Sequence, residues 1–203
     1  MSDVIEFDTV VIGAGVIGLA VARQLSAAGN SVLVVDCEKD IGSGNSSRNS
    51  GVIHAGIYYE PDSLKSKFCY EGRHMLYEFC AEFQIAHNKL GKLIVAINDD
   101  EVDSLHSIII RAENNGVEDL TLVDNGRVGK LEPNICVKSA LISPSSGIVD
   151  AIAFMKMLQM QSANNGVEFA FNTSVNEVEE TASGKLKLLM SDTQQSFSVV
   201  CTN

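Results

Sequence analysis

Positive charge is scarce in this chain. Its 203 residues hold 15 lysines and arginines against 26 aspartates and glutamates, a net charge of −11. Such a surface repels nucleic acid and anionic membranes unless a local basic patch intervenes. The nearest candidate patch, Lys65, Lys67 and Arg73, is interleaved with Glu60, Asp62, Glu71 and Glu78 and reads as a solvated helix face. Long apolar runs are missing as well. The longest nearly uncharged stretch, Thr9 to Ala22, is too short to span a bilayer and contains three glycines. The N-terminal MSDVIEFD lacks the cationic and apolar halves of a secretory or mitochondrial leader. The five cysteines, Cys37, Cys69, Cys80, Cys136 and Cys201, show no CxxC, zinc or iron–sulfur spacing. They are expected to be reduced, mostly core residues of a cytoplasmic protein without a metal site. Peripheral attachment to a membrane is left open, and no internal repeat is visible.

What is present begins with a compact pattern. Thr9 to Ile12 is a β-branched run ending in glycines, and Val16 to Ala28 has apolar residues at helical spacing (Ile17, Val21, Leu25, Ala28) closed by Gly29. Ser31 to Val35 is again continuously apolar and ends at Asp36. Strand, glycine turn, helix and buried strand make a βαβ unit, so the sheet begins parallel. A loop of Gly, Ser, Asn and Asp follows from Cys37 to Gly51. Pro61 to Ile85 reads as a long helix with Leu64, Phe68, Leu76, Phe79 and Phe83 inward, and Asp99 is expected to cap a second helix through Asn115. A helix to Asn165 follows Asp150, with Ile152, Met155, Met157 and Leu158 inward, and the remainder of the chain is β-rich.

Gly13-Ala14-Gly15-Val16-Ile17-Gly18 satisfies GxGxxG. The pattern alone is weak, but here it follows a strand, opens a helix, and has Asp36 at the end of the next strand. Gly13 permits the tight turn, Gly15 leaves room for a pyrophosphate against the backbone, and Gly18 lets helix and strand pack closely. The helix N-terminus offers N–H groups and a positive dipole end to phosphates. A carboxylate at Asp36 accepts ribose hydroxyls and repels a 2′-phosphate, so FAD or NAD is indicated. The competing reading is an ordinary βα turn with chance glycines.

The fingerprint does not separate the two dinucleotides, whereas its surroundings favour FAD. In a simple NAD dehydrogenase another helix usually follows the second strand. Here the small-residue loop SGNSSRNSG intervenes, suited to wrapping a large planar cofactor. Its amides can approach a flat ring, its serines and Asn49 can hydrogen-bond, and Arg48 can meet a phosphate or a flavin edge. A merely flexible surface loop does not account for the sudden change to apolar VIHAGIYY.

The runs TVVIGAGVIGLAVARQL and SVLVVD, the block SSRNSGVIHAGIYYEPDSLKSKFCYEG and the segment SPSSGIVD resemble the D-amino-acid oxidase/glycerol-3-phosphate dehydrogenase superfamily of FAD-dependent oxidoreductases. Within it, NSGVIHAGIYY followed by P-x-S-L-K-x-K is most similar to L-2-hydroxyglutarate dehydrogenases and oxidases. The resemblance implies an α/β fold: a Rossmann-like FAD-binding domain over residues 1–85 and 145–203, with residues 86–144 belonging to a β-rich substrate-binding domain. It implies that Gly13, Gly15 and Gly18 hold the FAD pyrophosphate and Asp36 the adenosine ribose. Ser47, Arg48, Asn49, Ser50 and Gly51 would contact the flavin half, and Val175 would present its backbone to the adenine. His54 would lie near the flavin ring.

The implied reaction oxidises a small 2-hydroxy acid to the 2-oxo acid by hydride transfer from C2 to flavin N5, while a base removes the hydroxyl proton. His54 is the candidate base because imidazole titrates near the working pH; the competing role is a hydrogen bond to flavin or backbone. Tyr58 and Tyr59 read as packing, and Arg73, His74 and His87 as helix-surface or core residues. Electrons would leave to oxygen, a quinone or a carrier protein. Family members are much longer, so the chain resembles the N-terminal part of an enzyme. Alone it is expected not to turn over substrate, and a companion chain supplying a C-terminal half is a further partner the resemblance allows. The alternatives are an amino-acid or sarcosine-type amine oxidase and a non-catalytic FAD- or ADP-binding fragment.

Overall fold

The computed structural model describes residues 5–203. The first stretch holds β1 (Ile5–Phe7), β2 (Thr9–Ile12), α1 (Val16–Ala27), β3 (Val32–Val35) and a single 3₁₀ turn at Asn45–Arg48. Next come β4 (Val52–Ile53), α2 (Leu64–Glu82), β5 (His87–Asn88), β6 (Lys92–Ala96), α3 (Asp99–Asn114) and β7 (Thr121–Asp124). They are followed by α4 (Asn125–Leu131), β8 (Ser139–Ser143) and β9 (Gly147–Val149). The chain continues through α5 (Ala151–Asn164), β10 (Glu168–Ala170), β11 (Ser174–Glu180), β12 (Leu186–Ser191) and β13 (Ser196–Cys201). Among the described residues no helix is long and apolar enough to cross a membrane.

Two compact units result, one of residues up to 49 with 151–203, the other of residues 50–150. The sequence places these junctions at 85/86 and 144/145. The difference concerns residues 50–85, with α2, and residues 145–150, with β9, which fold with the second unit. There β4 pairs antiparallel with β9, and α2 is tied to one end of that pairing by Arg73, which donates to Ala55 O just after β4 and to Ser145 Oγ just before β9.

In the first unit β2 and β10 flank β3 in a parallel sheet. All four residues of β3 are buried, because each face of the sheet is covered. Val32 and Val34 pack with Ala14, Ala22 and Val167. Leu33 and Val35 pack with Leu188, Met190, Val199 and Cys201, which come from the antiparallel ribbon β11–β12–β13. A continuously apolar strand is what burial on both faces requires. β1 joins the ribbon's edge, parallel to β13.

The second unit contains two three-stranded antiparallel sheets, β4-β9-β5 and β6-β8-β7. Helix α3 lays Leu105 against Ala96 and Leu141. Its cap is Asn98, whose side chain accepts from Glu101 N at 3.0 Å, rather than the expected Asp99, which lies one position inside the first turn.

The inward faces of three helices differ from the expected ones. In α2 the buried residues are Ser66, Arg73 and Cys80, at seven-residue spacing, while Leu64 and Phe68 are 69% and 60% exposed. Two positions along a helix is a rotation of about 200°, so residues flanking Ser66 by two fall on the opposite side. The same geometry exposes Ile17 beside the buried Leu19 of α1; in α5 Ile152 is exposed although Met155 and Leu158 are buried as expected. Arg73, read as solvated, is only 7% exposed. All five cysteines are free, but Cys37 and Cys136 are exposed and only Cys80 and Cys201 are buried.

Candidate functional site

In the first unit the candidate residues gather at the carboxyl ends of β2 and β3. Gly13 adopts φ +106°, a region closed to most side chains. A Cβ at Gly18 would collide with Gly13 O, so the first turn of α1 can lie against the strand only because neither position carries a side chain. Gly15 is the N-cap of α1 and has no side chain to cap with. Ser46 takes that role, its Oγ accepting from Val16 N at 3.0 Å. Asp36 closes the turn from the other side. Its Oδ2 accepts from Ala14 N at 2.6 Å and its Oδ1 from Glu38 N at 2.9 Å. A carboxylate is thereby fixed beside a helix N-terminus, the arrangement a dinucleotide's ribose and pyrophosphate need.

Val175 is brought toward the same end. Thr173 N donates to Asp36 O at 3.0 Å, so the start of β11 is hydrogen-bonded to the residue after β3. The pairing of β11 with β12 shifts register between Val175 and Glu177, a bulge in that strand. Ser47, Arg48 and Asn49 are exposed on and after the 3₁₀ turn, and Ser47 Oγ donates to Gly44 O at 3.0 Å. Ser46 and Thr173 are the residues that sequence reasoning missed. Ser46 heads the SSRNSG run, so helix-cap chemistry was the available signal; Thr173 had none.

Ser50, Gly51 and His54 belong to the second unit. Gly51 has φ +66°, and a Cβ there would press on Val149 O at 2.8 Å, where β4 and β9 lie close. After β4 the chain pairs with no strand among the described residues, yet Ala55 and Ile57 are buried. Its carbonyls must find donors elsewhere, and side chains of two helices supply them. From α2, Cys69 Sγ donates to His54 O at 3.5 Å and Arg73 Nη1 to Ala55 O at 3.2 Å. At the end of α3, Asn115 Nδ2 donates to Gly56 O at 3.0 Å and Tyr59 O at 2.9 Å, while Arg111 Nη1 reaches Tyr58 O at 3.3 Å. The His54 segment is therefore a clamped loop with an apolar underside (Ala55 and Ile57 with Ala112 and Val117).

The His54 side chain is exposed. Partial desolvation, then the charges of Lys92 and Lys65, lower its pKa below the ordinary histidine value. An imidazole held neutral can accept a proton from a hydroxyl, as a general base must. Arg73 also donates to Ser145 Oγ at 2.7 Å and to His74 Nε2 at 3.0 Å, the imidazole nitrogen accepting because guanidinium only donates. These residues line a cavity of about 360 Å³ with Tyr70, Tyr77 and Lys89. His54 is not among its walls.

Residues 8–203 match the DAO family, described as FAD dependent oxidoreductase. The chain belongs to this family of FAD dependent oxidoreductases. It is 44% identical to the mitochondrial L-2-hydroxyglutarate dehydrogenase of Arabidopsis thaliana, over 94% of this chain and 43% of that protein. The human mitochondrial L-2-hydroxyglutarate dehydrogenase is 41% identical over 71% of this chain and 32% of its own length. Among solved structures, the FAD-bound L-alpha-glycerophosphate oxidase of Mycoplasma pneumoniae superposes with a TM-score of 0.87 at 28% identity, covering 96% of this chain and 52% of that one. The chain thus spans about half or less of the length of these relatives. The family's cofactor is FAD, and the first unit fits it. The turn is shaped by Gly13, whose φ of +106° disfavours a side chain, and by Gly18, where a side chain would strike Gly13 O, and Asp36 is fixed beside it.

Proposed function

We propose that the chain forms the cofactor- and base-bearing portion of an FAD-dependent dehydrogenase for a small 2-hydroxy acid of the L-2-hydroxyglutarate type. In this reading the unit built from residues up to 49 and 151–203 binds the cofactor, and the unit 50–150 carries the substrate side. Gly13, Gly15 and Gly18 would hold the pyrophosphate, Asp36 the ribose, Val175 the adenine edge, and Ser47 to Gly51 the flavin half. FAD, when bound, would supply the two-electron redox chemistry, as the acceptor of a hydride equivalent. The chain's own contribution is to accept the hydroxyl proton on His54 and to fix that imidazole in place. His54 would thus receive the proton that the hydroxyl loses as the 2-hydroxy acid becomes the 2-oxo acid. The observation that supports this most is the His54 segment, where an exposed imidazole with a lowered pKa stands on a loop whose carbonyls are clamped by side-chain donors.

Electrons would pass onward to oxygen, a quinone or a carrier protein. The free cysteines fit a reducing compartment, the cytoplasm in our reading; the plant and human relatives carry mitochondrial in their names.

The test is anaerobic mixing of the FAD-loaded protein, together with the companion chain that supplies the C-terminal half, with L-2-hydroxyglutarate, glycine, sarcosine and glycerol 3-phosphate in turn, following flavin absorbance; without the companion no bleaching at an enzymatic rate is expected. Rapid bleaching by L-2-hydroxyglutarate alone is expected. Bleaching by glycine or sarcosine instead would establish the amine-oxidase alternative, and selective binding of NAD over FAD would remove the cofactor assignment.

A further inference from the structure

Two lysines converge on the two tyrosines that follow His54. Lys65 Nζ, from the first turn of α2, lies 4.7 Å from the ring centroid of Tyr59. Lys92 Nζ, at the start of β6, lies 4.5 Å from that of Tyr58. Both ammonium groups act on the same imidazole, His54, and oppose its protonation. In a chain with 26 acidic residues against 15 basic ones, such cations ordinarily find carboxylates. Among the described residues neither lysine has one within ion-pair distance, and the neighbouring Glu60 is paired with Arg111 at 3.6 Å. Pinning a lysine on an aromatic face restricts a flexible side chain, and doing so twice around one imidazole adds like-charge repulsion. An anion between them would relieve that repulsion and would lie where the substrate of a base at His54 must sit.

We infer that Lys65 and Lys92, resting on the Tyr59 and Tyr58 rings, form an anion subsite beside His54 that recognises the two carboxylates of a dicarboxylic hydroxy acid. The inference rests on the proposed oxidation of a 2-hydroxy acid and names what selects its substrate. A monocarboxylate would leave one ammonium without a partner, so a dicarboxylate is preferred. From the sequence, Lys65 and Lys67 could be read as attracting a dicarboxylate, with a solvated helix face as the preferred reading; the pairing with Lys92 was hidden because it lies 27 residues further on, in a strand.

The experiment needs no flavin and no turnover. Glutarate, a dianion without the reactive hydroxyl, and butyrate, a monoanion, are titrated into the 203-residue chain while the His54 ring resonance is followed by NMR, assigned with His54→Gln. Saturable perturbation by glutarate is expected, with butyrate at least tenfold weaker. Lys65→Gln and Lys92→Gln should each weaken glutarate at least tenfold, and Lys65→Arg and Lys92→Arg should retain it. The inference is overturned if the double glutamine variant binds glutarate as the parent does, or if glutarate leaves His54 undisturbed in the parent. FAD binding, measured separately by absorbance, reports on the cofactor reading, so the two can fail independently.

Discussion

Gly13–Gly18 and His54–Tyr59 are both short segments that present a reactive surface, yet they are shaped by different means. The glycine turn is held from 22 and 30 positions away, by Asp36 and Ser46, and its path depends on side chains that are missing. The His54 segment is held by side chains that are present, on two helices, at separations of 15 to 59 positions. A loop defined by what backbone geometry permits tolerates almost no added atom. A loop defined by side-chain donors loses its shape by degrees as donors are removed.

The largest effect should therefore come from the turn. Gly18→Ala places a methyl group on Gly13 O, and overpacking of this kind should cost about 3 kcal/mol, read as a lowered midpoint in chemical denaturation together with lost FAD binding. Unchanged stability and unchanged FAD binding would mean that the turn can relax, and the contrast between the two segments would collapse. Arg73→Leu comes next. It removes a buried guanidinium and leaves Ala55 O and Ser145 Oγ short of a donor, for an expected loss of about 2 kcal/mol. The His54 resonance should move, because its neighbour in the chain has been released. Asn115→Ala, which frees Gly56 O and Tyr59 O, should cost about 1.5 kcal/mol. If either helix variant proves neutral by denaturation, the carbonyls have found water, and the clamp is incidental.

The smallest effect is electrostatic. Burial, Lys92 and Lys65 lower the folded-state pKa of His54, so the unfolded chain binds this proton more readily. Stability attributable to His54 should rise with pH up to the ordinary histidine range and be lost as pH falls through it. Because the ring is exposed, the slope will be shallow. His54→Gln should flatten it, and an unaltered pH profile of the denaturation midpoint would show that the surrounding charges are screened out.

The two segments also differ in how far the sequence discloses them. Gly13, Gly15, Gly18 and Asp36 lie in one βαβ unit at recognisable offsets, so strand, turn, helix and parallel pairing are all readable from the order of residues alone. The apolar run of β3 likewise announces burial on both faces. The clamp on His54 is not readable, because a cysteine and an arginine on α2 and an asparagine after α3 become donors only once tertiary packing has set their directions. The same blindness put Leu64 and Phe68 on the wrong side of α2, since the helix takes its buried face from Arg73 and Cys80 rather than from its largest apolar residues. Arg73 looked solvated because acidic residues are interleaved around it in the sequence, whereas its partners are a carbonyl, a hydroxyl and an imidazole.

The proposed division of labour, with the glycine turn binding the cofactor and His54 moving the proton, is tested most directly by one variant read in two ways. His54→Gln is purified with FAD, its flavin content is measured, and it is mixed anaerobically with the companion chain and L-2-hydroxyglutarate beside the parent protein treated in the same way. Undiminished flavin content with reduction slowed by about 10² or more, the contribution expected of a general base, is the predicted result. Reduction at the parent rate, or flavin lost along with activity, would contradict it.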